Sequence, residues 1–244
     1  MEPGFLQETF ALIIPTLNEA GNIDNVLDKA SSALASTECD YEIVIVDDGS
    51  ADGTVEKVMR WSRRDPRIRL LSRSGERGLA GAVLYGWSHS QARLLGVMDA
   101  DLQHPPELLQ VLLREIEFAD IVIASRYAHR RGVDGWNPLR AAVSRLSTLA
   151  AGPLISKKNL HVTDPMSGFF IVHRRCIDGL KFQTTGFKLL LEILVRGHVH
   201  TVNEVPYQFG LRQAGKSKAG AAVAFHYLQL LSRLSRDLVS RSSQ

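Results

Sequence analysis

Asp99-Ala100-Asp101-Leu102-Gln103-His104 follows the apolar run Leu94–Met98, which places it at the carboxyl end of an expected strand. In an extended segment alternate side chains share a side, so Asp99, Asp101 and Gln103 are expected to converge. Two carboxylates and an amide oxygen suit Mg2+ or Mn2+, with diphosphate oxygens completing the shell. His104, standing before Pro105-Pro106, reads as structural rather than as a ligand. A second acidic tip, Asp47-Asp48-Gly49-Ser50, ends another apolar run. Asp48 there could accept hydrogen bonds from the N–H edge of a nucleobase, whereas turn and cap chemistry explains Asp52.

Two loops are less decisive. Pro15-Thr16-Leu17-Asn18-Glu19 lacks the G-x-G-x-x-G of a dinucleotide-binding first turn. Gly75, Gly78, Gly81 and Gly86, with Arg73 and Arg77, form a Gly-rich basic turn into a helix. A phosphate cradle and close helix–sheet packing are both open readings of that turn.

The elements that must position these residues follow a simple rhythm. Ala11–Pro15, Tyr41–Val46, Ile68–Ser72, Leu94–Met98 and Asp120–Ala124 read as strands, nearly continuous in Val, Ile and Leu. Such runs predict burial on both faces, as in a parallel sheet between helical layers. The stretches Asn22–Ala35, Gly53–Arg63, Leu79–Gln91 and Pro106–Phe118 are patterned as helices. Repeated strand–helix–strand units imply an open α/β sheet, with ligands at the carboxyl ends of its strands. Beyond Ala124 the rhythm changes. Ser125–Val162 is basic and helical in its middle, Asp164–Val172 and Val199–Phe209 read as strands, and 219–244 is a helical tail.

With 244 residues and 45% hydrophobic content, residues 1–218 are expected to form one catalytic domain ahead of that tail. A net charge of +3 is too small an excess to imply a nucleic-acid partner. Cys39 and Cys176 have no metal-ligand spacing and read as reduced thiols of a cytosolic protein. No signal peptide is visible, and no run approaches the roughly 18 to 20 apolar residues of a membrane span. Contact with a membrane is therefore expected at its surface. In the tail, Tyr227, Leu228, Leu231, Leu234 and Leu238 share one helical face, a pattern suited to an interfacial helix.

Taken together, IIPTLNE, IVIVDDGSADGT, MDADLQHPPE, ASRY, GWNPLR, DPMSGFF, GFKLLLEIL and RQAGKSK, in that order, resemble the family 2 glycosyltransferases of GT-A fold. Within these the resemblance is to polyprenyl-phosphate glycosyltransferases of the dolichol-phosphate mannose synthase type, over about Leu12 to Lys218. It implies a mostly parallel open sheet flanked by helices, and transfer of mannose from GDP-mannose to dolichyl or polyprenyl phosphate. The nucleoside would meet Pro15, Leu17 and Glu19, with the base at Val46 and Asp48; relatives often carry tyrosine at the position of Leu17. Asp99, Ala100, Asp101 and Gln103 would hold metal, diphosphate and sugar, with Asp99, Asp101 and Gln103 as the metal ligands. Arg126, Arg212 and Lys218 would clamp the donor, and Arg140 and Ser144 would receive the acceptor phosphate. Arg140 and Ser144 are four apart, hence on one helical face, and guanidinium plus hydroxyl suits a phosphate monoester. Asp101, Arg140 and Arg212 are the residues expected to carry catalysis.

A lipid phosphate is already ionised near neutral pH, so no protein base is required, by analogy with phosphorylated side chains. Glu192 accordingly reads as structural. The expected setting is the cytoplasmic face of a membrane, with peripheral attachment or an anchoring partner. An alternative keeps the chemistry and changes the sugar: a UDP-hexose such as glucose onto undecaprenyl phosphate. More distant are a non-catalytic sugar-nucleotide-binding protein and a P-loop NTPase. The latter rests on Gly210 to Ser217, which fits G-x-x-x-x-G-K-[ST]. Context argues against it, because Pro206 makes a poor central strand and little chain remains for a second magnesium-binding Asp.

Overall fold

The computed structural model describes residues 9–75, 78–128, 148–156, 158–182, 188–208 and 229–236. Its strands are β1 (Phe10–Thr16), β2 (Tyr41–Asp47), β3 (Ile68–Ser72), β4 (Leu94–Val97), β5 (Ile121–Ser125), β6 (Phe170–His173) and β7 (Val202–Pro206). They form one sheet in the order β3-β2-β1-β4-β6-β5-β7. β6 runs antiparallel between β4 and β5, and the other pairings are parallel.

β1 shows why the runs are continuous. Phe10, Leu12 and Ile14 enter one core cluster, Ala11 and Ile13 the other, and all are buried. Alternate side chains point to opposite faces, so a sheet covered twice needs apolar residues at every position. The helices are α1 (Ile23–Ala35), α2 (Thr54–Arg64), α3 (Leu79–Ser88) and α4 (Leu109–Glu115), followed by helical residues 148–156, Leu189–Arg196 and helical residues 229–236. α1, α2 and α4 cover one face. α3, 148–156, Leu189–Arg196 and 229–236 cover the other. α3 lies close to the sheet because Gly86 has no side chain. A Cβ there would stand 2.8 Å from Ile13 Cγ2 and 3.0 Å from Val46 Cγ2. That glycine serves packing.

Departures from the expected elements have local causes. The strand expected over Asp164–Val172 begins only at Phe170, because side-chain hydrogen bonds from β7 and from the residue after β5 fold 163–168 as a loop. Among the described residues β7 is an edge strand paired with β5 alone, which accommodates Pro206 and its missing N–H. Leu189–Arg196, which the sequence pattern did not delimit, is apolar nearly all round and is buried from Leu189 to Val195. Its acid, Glu192, is buried and paired with Arg196 one turn on, the structural role expected of it.

Part of the C-terminal stripe packs on the domain. Leu234 is 2% exposed and joins Leu230 in the core, with Leu231 packed against them, so these leucines cover the domain. Tyr227, Leu228 and Leu238 lie outside the described residues. Among the described residues, no helix is long and apolar enough to cross a membrane.

Candidate active site

The acidic tip after β4 is a turn rather than a continued strand. β4 ends at Val97, and Leu102 takes φ +59, a backbone region that costs a branched side chain about 1 to 2 kcal/mol. The bend lets Gln103 N–H donate to Asp101 Oδ1 at 3.1 Å. Asp101 and Gln103 are thereby drawn inward and buried, while Asp99 keeps a third of its side chain exposed. The acids thus stand on a kinked turn at this strand end, not in the extended alternation expected of them.

His104 is buried among Phe169 and Tyr207. Its Nδ1 accepts the Asp99 N–H at 3.3 Å and stands 3.8 Å from Asp99 Oδ2. Burial pulls the imidazole down to about 4, so it is neutral at pH 7 and supports the tip. Gly168 faces the tip from the opposite loop, so close that a Cβ there would stand 3.2 Å from Asp99 Oδ2.

Beside the tip lies a set of charges that sequence spacing did not group. Arg126 follows β5 and turns its fork onto Asp164, with Nε to Oδ2 at 2.7 Å and Nη2 to Oδ1 at 2.6 Å. Burial alone would lower the guanidinium's proton affinity, but Asp164 more than offsets this and raises it. Arg126 thus has much of its donor capacity committed to Asp164. Lys188 stands at the start of the helix Leu189–Arg196; burial, and then the Arg126 charge, lowers it to about 8. Burial raises the Tyr207 phenol, which also senses Asp164, Asp99 and Asp101. Asp164 and Lys188 sit inside DPMSGFF and GFKLLLEIL, but nothing in their spacing assigns them to one cluster.

The end of β2 is equally cross-linked. Asp48 accepts Arg73 Nε and Nη2, each at 2.8 Å, and the Gly78 N–H at 2.9 Å. A carboxylate has about four acceptor positions, so about one remains for a base N–H. Val46 is wholly buried with Cγ2 turned to Gly86, which makes its side chain core rather than ligand surface. Pro15 near the end of β1 and Leu17 and Glu19 in the loop after it are half-buried, and Glu19 accepts the Asn22 amide at 2.8 Å. Asp52 behaves as a turn residue, accepting Thr54 N–H at 3.1 Å and Ala20 N–H at 3.0 Å, so it ties the loops after β1 and β2 together.

The oxygen donors of Asp99, Asp101 and Gln103 are of the hard type that suits a small divalent cation. Among the described residues no group of three or more His, Cys, Asp or Glu is arranged to hold a metal alone, so such a cation would need ligands from elsewhere, as Mg2+ commonly takes from phosphates. Arg140, Ser144, Arg212 and Lys218 lie outside the described residues, as does the Gly210–Ser217 segment.

Relatives align along nearly the whole chain. It is 38% identical over 225 residues to a dolichol-phosphate mannosyltransferase of Pyrococcus furiosus, covering 92% of this chain and 63% of that protein. Proteins of the same name from Mycosarcoma maydis and Saccharomyces cerevisiae are 37% and 33% identical, covering 93% and 92% of this chain and 79% and 86% of theirs. The chain thus spans under two thirds of the archaeal relative and more of the fungal ones. A crystal structure of glucosyl-3-phosphoglycerate synthase from Mycobacterium tuberculosis, in complex with Mn2+, UDP and glucosyl-3-phosphoglycerate, superposes with a TM-score of 0.68 at 19% identity. It covers 96% of this chain and 86% of that one, and bears on the fold, which is GT-A-like. Residues 11–180 match Glycosyl transferase family 2, and the chain belongs to that family.

Proposed function

We propose that this protein transfers mannose from GDP-mannose to a dolichyl or polyprenyl phosphate, releasing GDP. The observation that carries the reading is the likeness over 92% or more of the chain to three proteins named for that reaction. A phosphate oxygen of the lipid attacks the anomeric carbon as the bond to the diphosphate breaks, so one displacement inverts that carbon. The nucleophile arrives ionised, and no described side chain need remove a proton.

Positioning and charge neutralisation are then the protein's tasks. Asp99, Asp101 and Gln103 are the residues that would hold Mg2+ or Mn2+, which when bound offsets charge on the departing diphosphate. The Mn2+ in the mycobacterial neighbour's complex supports a divalent ion of this kind. Arg212 and Lys218 take the diphosphate, Arg140 and Ser144 the lipid phosphate, and Asp48 the base. The reaction takes place at the cytoplasmic face of a membrane, to which the protein attaches peripherally.

The test offers radiolabelled GDP-mannose and UDP-glucose with a polyprenyl phosphate and Mg2+ or Mn2+. Mannose label entering the organic phase is the expected result. Glucose label alone would replace the sugar and base in this reading, and label from neither would overturn it.

A further inference from the structure

Gly168 and Asp99 lie on different loops yet meet at the acidic tip. A Cβ on Gly168 would stand 3.2 Å from Asp99 Oδ2 and 3.4 Å from His104 Cε1, tight enough that a neighbour must yield. The φ of Gly168 is not positive, so the backbone would accept alanine. What crowds an added side chain is the Asp99 carboxylate.

The loop carrying Gly168 is held from behind. Glu204 of β7 accepts the Thr163 N–H at 2.8 Å, the Thr163 hydroxyl at 2.9 Å and the Asp164 N–H at 3.0 Å. Asp164 in turn receives the Arg126 backbone N–H at 3.0 Å as well as its guanidinium. The Ser167 hydroxyl donates to the Ala124 carbonyl at 2.7 Å, and the Ser167 N–H closes a turn onto the Asp164 carbonyl at 3.2 Å. These anchors all lead to β5, the residue after it, or β7, whereas Asp99 is carried by β4. The loop can therefore set the Asp99 carboxylate against a wall that the acidic segment does not itself build.

We propose that Gly168 is a positioning residue for the cation end of the site. Its bare backbone fixes where Asp99 Oδ2 rests, and the Glu204–Asp164–Arg126 relay holds that backbone in place. The proposal rests on the reading of Asp99 as a cation ligand. An added methyl must displace the carboxylate or the loop by a few tenths of an ångström. Mg2+ demands near-ideal geometry, and disturbing groups that orient a ligand typically weakens metal affinity about 10- to 100-fold.

The test is Mn2+ titration followed by electron paramagnetic resonance, with GDP or UDP present, on the wild type, Gly168→Ala and Asp164→Asn. Gly152→Ala is the control, since a Cβ there meets nothing within 4 Å. Gly168→Ala should raise the Mn2+ Kd at least about tenfold while unfolding at nearly the wild-type temperature, and Gly152→Ala should leave the Kd unchanged. Asp164→Asn should weaken Mn2+ in the same direction; should it fail to fold cooperatively, the alanine variant alone decides. A wild-type Kd in Gly168→Ala overturns the proposal, as does a wild type that binds no Mn2+. Mn2+ binding that responds to Gly168→Ala, in a protein that transfers no mannose to polyprenyl phosphate, would instead overturn the proposed reaction and leave this inference standing.

Discussion

Asp164 Oδ1 and Oδ2 accept Nη2 and Nε of Arg126 in a two-pronged ion pair, with the acid wholly buried and the arginine nearly so. The partners are 38 residues apart and join the end of β5 to the loop before β6. Removing one partner of such a pair leaves a buried charge. Asp164→Ala is expected to lower unfolding free energy by about 3 to 5 kcal/mol, whereas Arg126→Met with Asp164→Leu should recover a large part. Urea denaturation of the two variants measures this; equal losses would contradict it.

Asp48 and Arg73 form a second such pair, at the end of β2. In Asp48→Asn the amide N–H₂ must face an Arg73 donor in either orientation, and in one of them the Gly78 N–H as well, so stability should fall by about 1 to 3 kcal/mol. The KM for the nucleotide sugar should rise in the same variant. An unchanged donor KM would remove Asp48 from base recognition.

Asp101 is the inner acid of the turn after β4. Asp101→Ala is expected to cut transfer of labelled mannose to the organic phase by at least about a hundredfold, the scale of losing a preorganised charge at the reacting end. Added Mn2+ should restore little of it. Near-normal turnover by this variant with EDTA present would end the metal reading.

Asp120 provides a pH signature of folding away from the site. Burial raises its pKa, but the His200 N–H, the Arg175 guanidinium and the Thr201 N–H outweigh burial, and the net shift is downward. The folded pKa is below the unfolded value of about 3.9, so this stabilisation is complete above that pH and fades as pH falls through the folded pKa. Asp120→Asn should therefore cost about 2 kcal/mol at pH 7, with the gap from wild type closing below about pH 4. A gap independent of pH would show that the charge is not responsible.

The two thiols should differ in reactivity. Cys176 is buried, and burial, followed by the Asp120 charge, pushes its pKa up to about 11, while Cys39 is part-exposed. Thiolate is the reactive form, so iodoacetamide at pH 8 should alkylate Cys39 in the folded protein and Cys176 only after unfolding. Mass spectrometry of the labelled peptides reads the difference directly.

Some of this was legible from the chain alone. The apolar runs of β1 to β5 already imply a sheet buried on both faces, because a strand's period of two leaves no polar position when both faces are covered. Asp52 announces its turn, and the acids after Leu94–Met98 announce a charged strand end, since these signals are local. The kink at Leu102 is local as well, but it depends on a hydrogen bond within the turn that the alternation argument did not anticipate.

Tertiary structure decided what meets across the sheet. It inserted β6 between β4 and β5, turned Leu234 into the core, and gave the Arg126 fork to Asp164. It also brought Gly168 against Asp99. None of these follows from residue spacing, because a contact between distant segments is fixed by packing and by the pairing of buried charges, neither of which has a period along the chain. The residue types were given by the sequence; which of them face one another was settled only when the strands took their places.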